Sequence, residues 1–150
     1  MKRILILLAS LLVVGGCATV SMLPENAEIV DFDTPEGKTG WSEYKQTAVF
    51  EGYSLDQVYE AAKSALGDAN FALLRADRVD QVVMGEHGIT LHDWNVIAGV
   101  YLKEEDKTIR VLVIAEGSKD FGFSGDVTGD GWTGKIIDGI RRHLRRIDPE

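Results

Sequence analysis

The chain has 150 residues, a single cysteine and a formal net charge of −8 at neutral pH. That length supplies one domain with its own core and is too short for two comfortable ones. The acidity speaks against nucleic acid, whose phosphates would repel it, and one cysteine leaves no internal disulfide to hold the fold.

The N-terminus has three unlike pieces: the positive Lys2 and Arg3, an apolar run from Ile4 to Val14, and the small Gly15-Gly16. This is the layout of a secretory signal peptide. The run is about 11 residues against the roughly 20 that a spanning helix needs, so it is expected to serve export rather than a permanent span. Val14-Gly15-Gly16-Cys17 resembles the lipobox of bacterial lipoproteins. The resemblance implies cleavage after residue 16, a diacylglycerol on the Cys17 thiol and a fatty acyl chain such as palmitate on the new amine. Ala18, which is not the aspartate of inner-membrane retention, points to an outer-membrane lipoprotein facing the periplasm if the host is Gram-negative. Two or three acyl chains, at about 0.8 kcal/mol for each buried methylene, anchor firmly where one chain binds only marginally.

Three segments are expected: the signal peptide 1–16, the lipidated cysteine with an acidic tether 17–42, and one domain 43–150. Loss of Lys2 and Arg3 with the signal makes the remaining chain two units more acidic, about −10. The tether carries Glu25, Glu28, Asp31, Asp33 and Glu36 against Lys38, with Pro24, Pro35, Gly37 and Gly40 between them. Such a solvated segment of about 25 residues would reach roughly 80 Å when fully extended.

In chain order the domain begins with an expected strand over 45–53. Ser54 and Gln57 then form a capping box, and Leu55, Val58, Tyr59, Ala62, Ala65, Leu66 and Ala69 recur at helical spacing. Asn70 suits the left-handed residue that ends such a helix, with Gly67 offering an earlier stop. Strands are expected over 71–75 and 82–91, with Gly88 a place to bend. Strands over 96–103 and 108–116 read as a hairpin around Glu104-Glu105-Asp106-Lys107. Pairing Lys103 with Thr108 places Leu102, Val100, Ala98 and Val96 on one face with Ile109, Val111, Val113 and Ala115. A Gly- and Asp-rich loop over 117–131 leads into a last helix, 132–147, striped by Trp132, Ile136, Ile137, Ile140, Leu144 and Ile147. The order β-α-β-β-β-β-α predicts an α+β fold, an antiparallel sheet with two helices on one face. In that layout the body resembles the helix-grip domains of small lipoproteins, such as the lipoprotein accessory subunit of the outer-membrane β-barrel assembly machinery. The resemblance covers about residues 45–147 in layout, carries no diagnostic motif and transfers no site residue.

Motifs that could carry chemistry fail on particular residues. Gly129 to Lys135 fits seven places of a phosphate-binding loop, but Ile136 stands where Ser or Thr should hold magnesium. Asp126 to Gly131 opens like a calcium loop, yet Ile137 occupies the place of the bidentate acid. His87 and His92, five apart, would leave a regular strand on opposite faces and read as surface residues. Gly122-Phe123-Ser124-Gly125 misses the nucleophile elbow by one residue. No enzyme activity, cofactor or metal is therefore expected.

Two surfaces stand out as candidates. On the far side of the hairpin Ile97, Tyr101, Leu112 and Ile114 form an apolar patch, either a docking face for a partner or a face that Leu23, Ile29, Val30, Phe32 and Trp41 could cover. On the last helix Lys135, Arg141, Arg142, Arg145 and Arg146 face only Asp138 in charge, which complements the helix dipole or binds anions. The expected function is a membrane-anchored, non-catalytic interaction module of the bacterial cell envelope, serving its assembly or maintenance through an envelope protein partner. An anion- or small-ligand-binding domain using Arg141, Arg142, Arg145 and Arg146 is the second reading, and an envelope hydrolase a third.

Overall fold

The computed structural model describes residues 18–39, 43–88, 95–117 and 131–147. The fold is α+β, built on one antiparallel sheet of six strands. In chain order these are β1 (Gly37–Thr39), β2 (Glu43–Glu51), β3 (Ala72–Asp77), β4 (Val82–His87), β5 (Val96–Glu105) and β6 (Thr108–Gly117), with helix α1 (Leu55–Asp68) after β2 and helix α2 (Gly131–Ile147) after β6. Across the sheet the order is β1-β2-β6-β5-β4-β3. The expected order lacked β1 and two short 3-10 turns, Val20–Met22 and Ala27–Ile29, all in the stretch read as tether.

Helix α1 starts where its capping signal lies. The Ser54 hydroxyl accepts from the Gln57 amide at 3.2 Å, and the Gln57 side chain accepts from the Ser54 amide at 2.8 Å. Asn70, at φ 61°, then turns the chain through the left-handed region into β3. Both α-helices lie on one face of the sheet. Val58, Ala62, Ala65 and Leu66 of α1 and Ile136, Ile137, Ile140 and Leu144 of α2 share a core with Val83, Ala98, Val100, Leu102, Ile109, Val111, Val113 and Ala115. The helices approach closely because one contact residue has no side chain: a Cβ on Gly139 would lie 2.7 Å from that of Ala65.

The β5–β6 hairpin has the expected faces but not the expected register. Glu105, rather than Lys103, pairs with Thr108, so Leu102 meets Val111 and Val100 meets Val113. Only Asp106 and Lys107 form the turn, at φ 46° and 72°. A two-residue turn with both φ values positive matches the right-handed twist of its strands, whereas a four-residue loop would waste two ladder pairs. Because the slip is two residues, every side chain keeps its face.

The Gly139 contact generates a paired prediction. Gly139→Ala gains helix propensity of up to about 1 kcal/mol but forces apart two packed helices, for a net loss of about 1–2 kcal/mol. Gly67→Ala, in α1 with nothing within 4 Å of the added carbon, should instead stabilise by about 0.5–1 kcal/mol. Urea unfolding of the two variants beside wild type checks both signs.

Candidate functional site

The sheet face turned away from the helices is apolar at its centre. Val82 and Met84 of β4, Ile97 and Tyr101 of β5, and Leu112 and Ile114 of β6 form a second buried cluster. Their cover is the stretch expected to be a free tether. Ala18, Leu23, Ala27 and Phe32 are buried against them, with Val20 and Val30 partly so. The docking face expected at Ile97, Tyr101, Leu112 and Ile114 is therefore closed, each of the four being no more than 2% exposed. The physical reason is direct: burying a leucine or phenylalanine contributes about 1.5–3 kcal/mol, and the chain carries both within reach of its own patch. Of the covering residues expected, Ile29 faces outward and Trp41 lies outside the described residues.

Residues 18–36 thus form a strap, and polar side chains pin it at intervals. Asn95, just before β5, donates from Nδ2 to the Ala18 carbonyl at 2.8 Å. The Tyr101 hydroxyl donates to the Pro24 carbonyl at 2.8 Å. Gly99 makes that contact possible, since a Cβ there would come within 2.7 Å of the Tyr101 hydroxyl oxygen and the ring lies along the strand over the glycine. Burial pushes the Tyr101 phenol well above its usual value, so it stays a neutral donor at physiological pH. Arg75 of β3 donates to the Glu25 carbonyl at 2.6 Å and pairs with Asp77 and Asp80, while the Ala27 amide donates to the Asp80 carbonyl at 2.9 Å. Arg110 of β6 donates to the Phe32 carbonyl and the Asp33 carboxylate, both at 2.7 Å. Last, the Glu36 carboxylate accepts from the Thr47 amide at 2.8 Å and from the Thr47 hydroxyl. The strap runs from the Asn95 end of β5 to the β3–β4 turn, crosses to β6, and enters β1 beside β2.

The second candidate surface remains exposed. Arg141, Arg142, Arg145 and Arg146 all lie at the surface of α2. Arg141 bonds Asp138 at 2.9 Å, and His143 bonds Asp68 of α1 at 2.9 Å. Arg142 flanks a shallow groove with Lys135, Asp138, Asp68 and Ala69. The groove mixes both signs of charge, so it is not a purely cationic cradle.

His87 corrects the expectation of a surface histidine. It is 6% exposed, on the helix-side face, with Trp132 at 4.6 Å and Phe71 at 5.6 Å between ring centroids. Its Nδ1 and the Asn95 Oδ1 are buried without a hydrogen-bond partner among the described residues. His92, Ser124 and residues 126–130 of the two loop motifs lie outside those residues, as does Cys17, while Gly131 to Lys135 of the phosphate-loop motif belong to α2. Among the described residues no group of three or more metal-binding side chains occurs, and no helix is long and apolar enough to cross a membrane.

No family model and no curated protein matches the sequence. Among solved structures, the protein TTHA0849 from Thermus thermophilus is similar at 9% identity, covering 71% of this chain and 99% of its own, with a TM-score of 0.43. A protein from Chromobacterium violaceum matches at 12% identity, 73% and 99% coverage and a TM-score of 0.41. The Zhui aromatase/cyclase from a Streptomyces species matches at 12% identity, 73% and 98% coverage and a TM-score of 0.40. At these values the likeness assigns no activity to this chain.

The strap makes three predictions. Tyr101→Phe removes the Pro24 bond while keeping the ring, at a cost of about 0.5–1.5 kcal/mol. Removing residues 18–36 uncovers the whole apolar cluster, and the shortened chain should self-associate in analytical ultracentrifugation while wild type does not. The Thr47 amide and hydroxyl hold the Glu36 carboxyl below its ordinary value of 4.5. A depressed carboxyl contributes stability above that value and loses it as pH falls through the folded-state pKa. Glu36→Gln should therefore narrow the stability difference between neutral pH and acid, read as the change in urea midpoint between the two.

Proposed function

We propose that the chain is a membrane-anchored bacterial envelope lipoprotein, lipidated on Cys17, whose domain is a non-catalytic interaction module serving envelope assembly or maintenance. The observation that supports the second half is where the polar side chains go. Tyr101, Asn95, Arg75, Arg110 and Thr47 are groups that could serve a reaction, and each is spent on a bond to the strap. The first half rests on Val14-Gly15-Gly16-Cys17 after an apolar run with a basic start. The finer fold reading, kinship with helix-grip lipoprotein domains, belongs to the same proposal: two α-helices packed on one face of an antiparallel sheet support it. The outer membrane is the proposed location in a Gram-negative host, since Ala18 follows the cysteine.

A second reading, binding of anions or small ligands by Arg141, Arg142, Arg145 and Arg146, is favoured by their exposure along one helix. Against it stand the Asp138 and Asp68 carboxylates within the same surface.

In cells fed a labelled fatty acid, wild type should take up label and sediment with membranes, whereas Cys17→Ser should do neither. Equal labelling of the two would sink the lipoprotein reading. With the lipid in place, Arg141→Ala combined with Arg145→Ala should leave crosslinks to envelope proteins intact. Their loss, together with salt-sensitive binding of polyanions by wild type, would favour the second reading.

A further inference from the structure

We propose that the outer edge of β2, from Thr47 to Glu51, is a strand-addition site that takes an extended basic segment of a partner protein. This rests on the reading of the domain as an interaction module and deepens it by naming the form of the partner.

The edge is open because the strap reaches it late. β1 pairs with β2 at Gly37–Lys45, Lys38–Tyr44 and Thr39–Glu43, and among the described residues no strand covers the rest of that side. In the same register Pro35 would face Thr47, and a proline has no N–H to give to a ladder. Gly37, at φ 120°, marks where the chain turns into line with β2. The Glu36 carboxylate then accepts from the Thr47 amide at 2.8 Å. That bond fixes which way the backbone groups of β2 point. Alternate residues of a strand turn their N–H and C=O to the same edge, so those of Val49 and Glu51 point outward with those of Thr47. The residues between them, Ala48 and Phe50, pair inward with Val111 and Ile109 of β6. The Thr47 carbonyl and both groups of Val49 and Glu51 are thus left to an incoming strand. The opposite edge of the sheet is less suited, since β3 shifts register between Leu73 and Arg75 and such a bulge interrupts a ladder.

The chemistry of the partner follows from the side chains beside the open edge. Thr47, Val49 and Glu51 lie on the strap side of β2, and Val49 is 57% exposed. Glu51 is exposed and makes no ion pair among the described residues. Glu36 stands on Thr47, and Asp33 stands on Arg110, the residue of β6 directly across from Val49. Arg110 divides its single charge between Asp33 and Glu105, so this side stays negative. Opposite charges facing each other across a ladder favour pairing and like charges oppose it. The net charge of −8 on the whole chain draws basic segments from a distance as well. Helix α2 covers the other face of β2, where Thr133 bonds Gln46, and it carries the arginines. Basic side chains of the added strand therefore belong on the strap side, at every second position. Running antiparallel to β2, the segment reads basic against Glu51, apolar against Val49, then basic again at Glu36.

The probe is a seven-residue peptide, acetylated and amidated, in which lysine, valine and lysine alternate with threonine. It is titrated into the isotope-labelled full chain in detergent micelles and followed by NMR. The expected result is a shift of the Val49 and Glu51 amides with slower solvent exchange, while the amides from Leu73 to Asp77 stay unchanged. N-methylating the peptide at its valine and lysines removes the donors that face the edge and should weaken binding several-fold. Glutamate in place of both lysines should do the same. Val49→Pro deletes an outward donor and spares the ladder to β6, a place where an edge strand tolerates proline; it should bind several-fold more weakly. If that variant fails to fold, Glu51→Lys, at an exposed position, should lower affinity for the lysine peptide and raise it for the glutamate one. Equal binding of the N-methylated peptide would reduce the contact to charge alone and overturn the strand, as would shifts confined to β3. No binding up to the solubility limit would overturn the site. Crosslinks to envelope proteins that persist undiminished in folded Val49→Pro would overturn the edge and leave the interaction reading standing. Wild type that binds the peptide but forms no envelope crosslinks would keep the edge and count against that reading alone.

Discussion

The central strands of this protein are apolar on both faces, and that forces the rest of its architecture. In β5, Ile97 and Tyr101 face one way while Ala98, Val100 and Leu102 face the other. In β6, Leu112 and Ile114 oppose Val111, Val113 and Ala115 in the same manner. An antiparallel sheet can leave one face to water only if that face is polar. Here neither is, so two covers are required. The helices supply the first, and the second comes from residues 18–36. With no disulfide available to fix either cover, each must be held by packing and by hydrogen bonds.

The two covers are held by different chemistry. On the helix side the work is shape: Gly139 admits Ala65, and apolar stripes close over the sheet. The strap is too short and too acidic to hold on by burial alone, since Leu23 and Phe32 are its only large buried side chains. Directed bonds to its carbonyls make up the difference, each worth roughly 0.5–1.5 kcal/mol, with those from charged donors stronger. That division explains why Arg75 and Arg110 sit on the strap side, where a guanidinium can bond a carbonyl and a carboxylate at once.

How far the sequence discloses this differs between elements. Helix α1 is legible to the residue at its start, because Ser54 and Gln57 state the cap locally and Asn70 states the exit. The hairpin faces are legible from alternation, but the register is not. Alternation has a period of two, so a slip of two leaves no mark in the pattern, and the choice between a two-residue and a four-residue turn rests on backbone twist. The strap is legible only indirectly. Its own residues, rich in acid, proline and glycine, have the composition of a linker. The signal lies instead in its target: the near-continuous apolar run Val96 to Leu102 is the pattern of a strand buried on both faces. The pins are the least legible part, since Asn95 and Ala18, or Arg110 and Phe32, are separated by more than seventy residues. His87 falls in the same class, because its burial depends on Phe71 and Trp132 arriving from two other elements.

Closing the open face also changes what a partner can be offered. A free tether of about 25 residues would have a mean reach of about 25–30 Å, and a domain on it would sample many attitudes before meeting anything. Fixing the strap removes that freedom while the chain folds, so no ordering cost is left for the encounter itself. The surface then presented is polar and well paired, as at Arg78, which joins the β3–β4 turn to Asp56 and Glu60 of α1. Exposed large apolar residues are few and scattered, with Leu73 and Leu74 on the outer strand β3 and Val79 at its turn. Even that edge is blunted, since the pairing of β3 with β4 shifts register between Leu73 and Arg75, the kind of irregularity that discourages further strand addition. On the proposed reading as an interaction module, recognition would depend less on a greasy patch than on charged surfaces, and the strap, pinned from Ala18 onward, keeps the apolar face of the sheet out of any such contact.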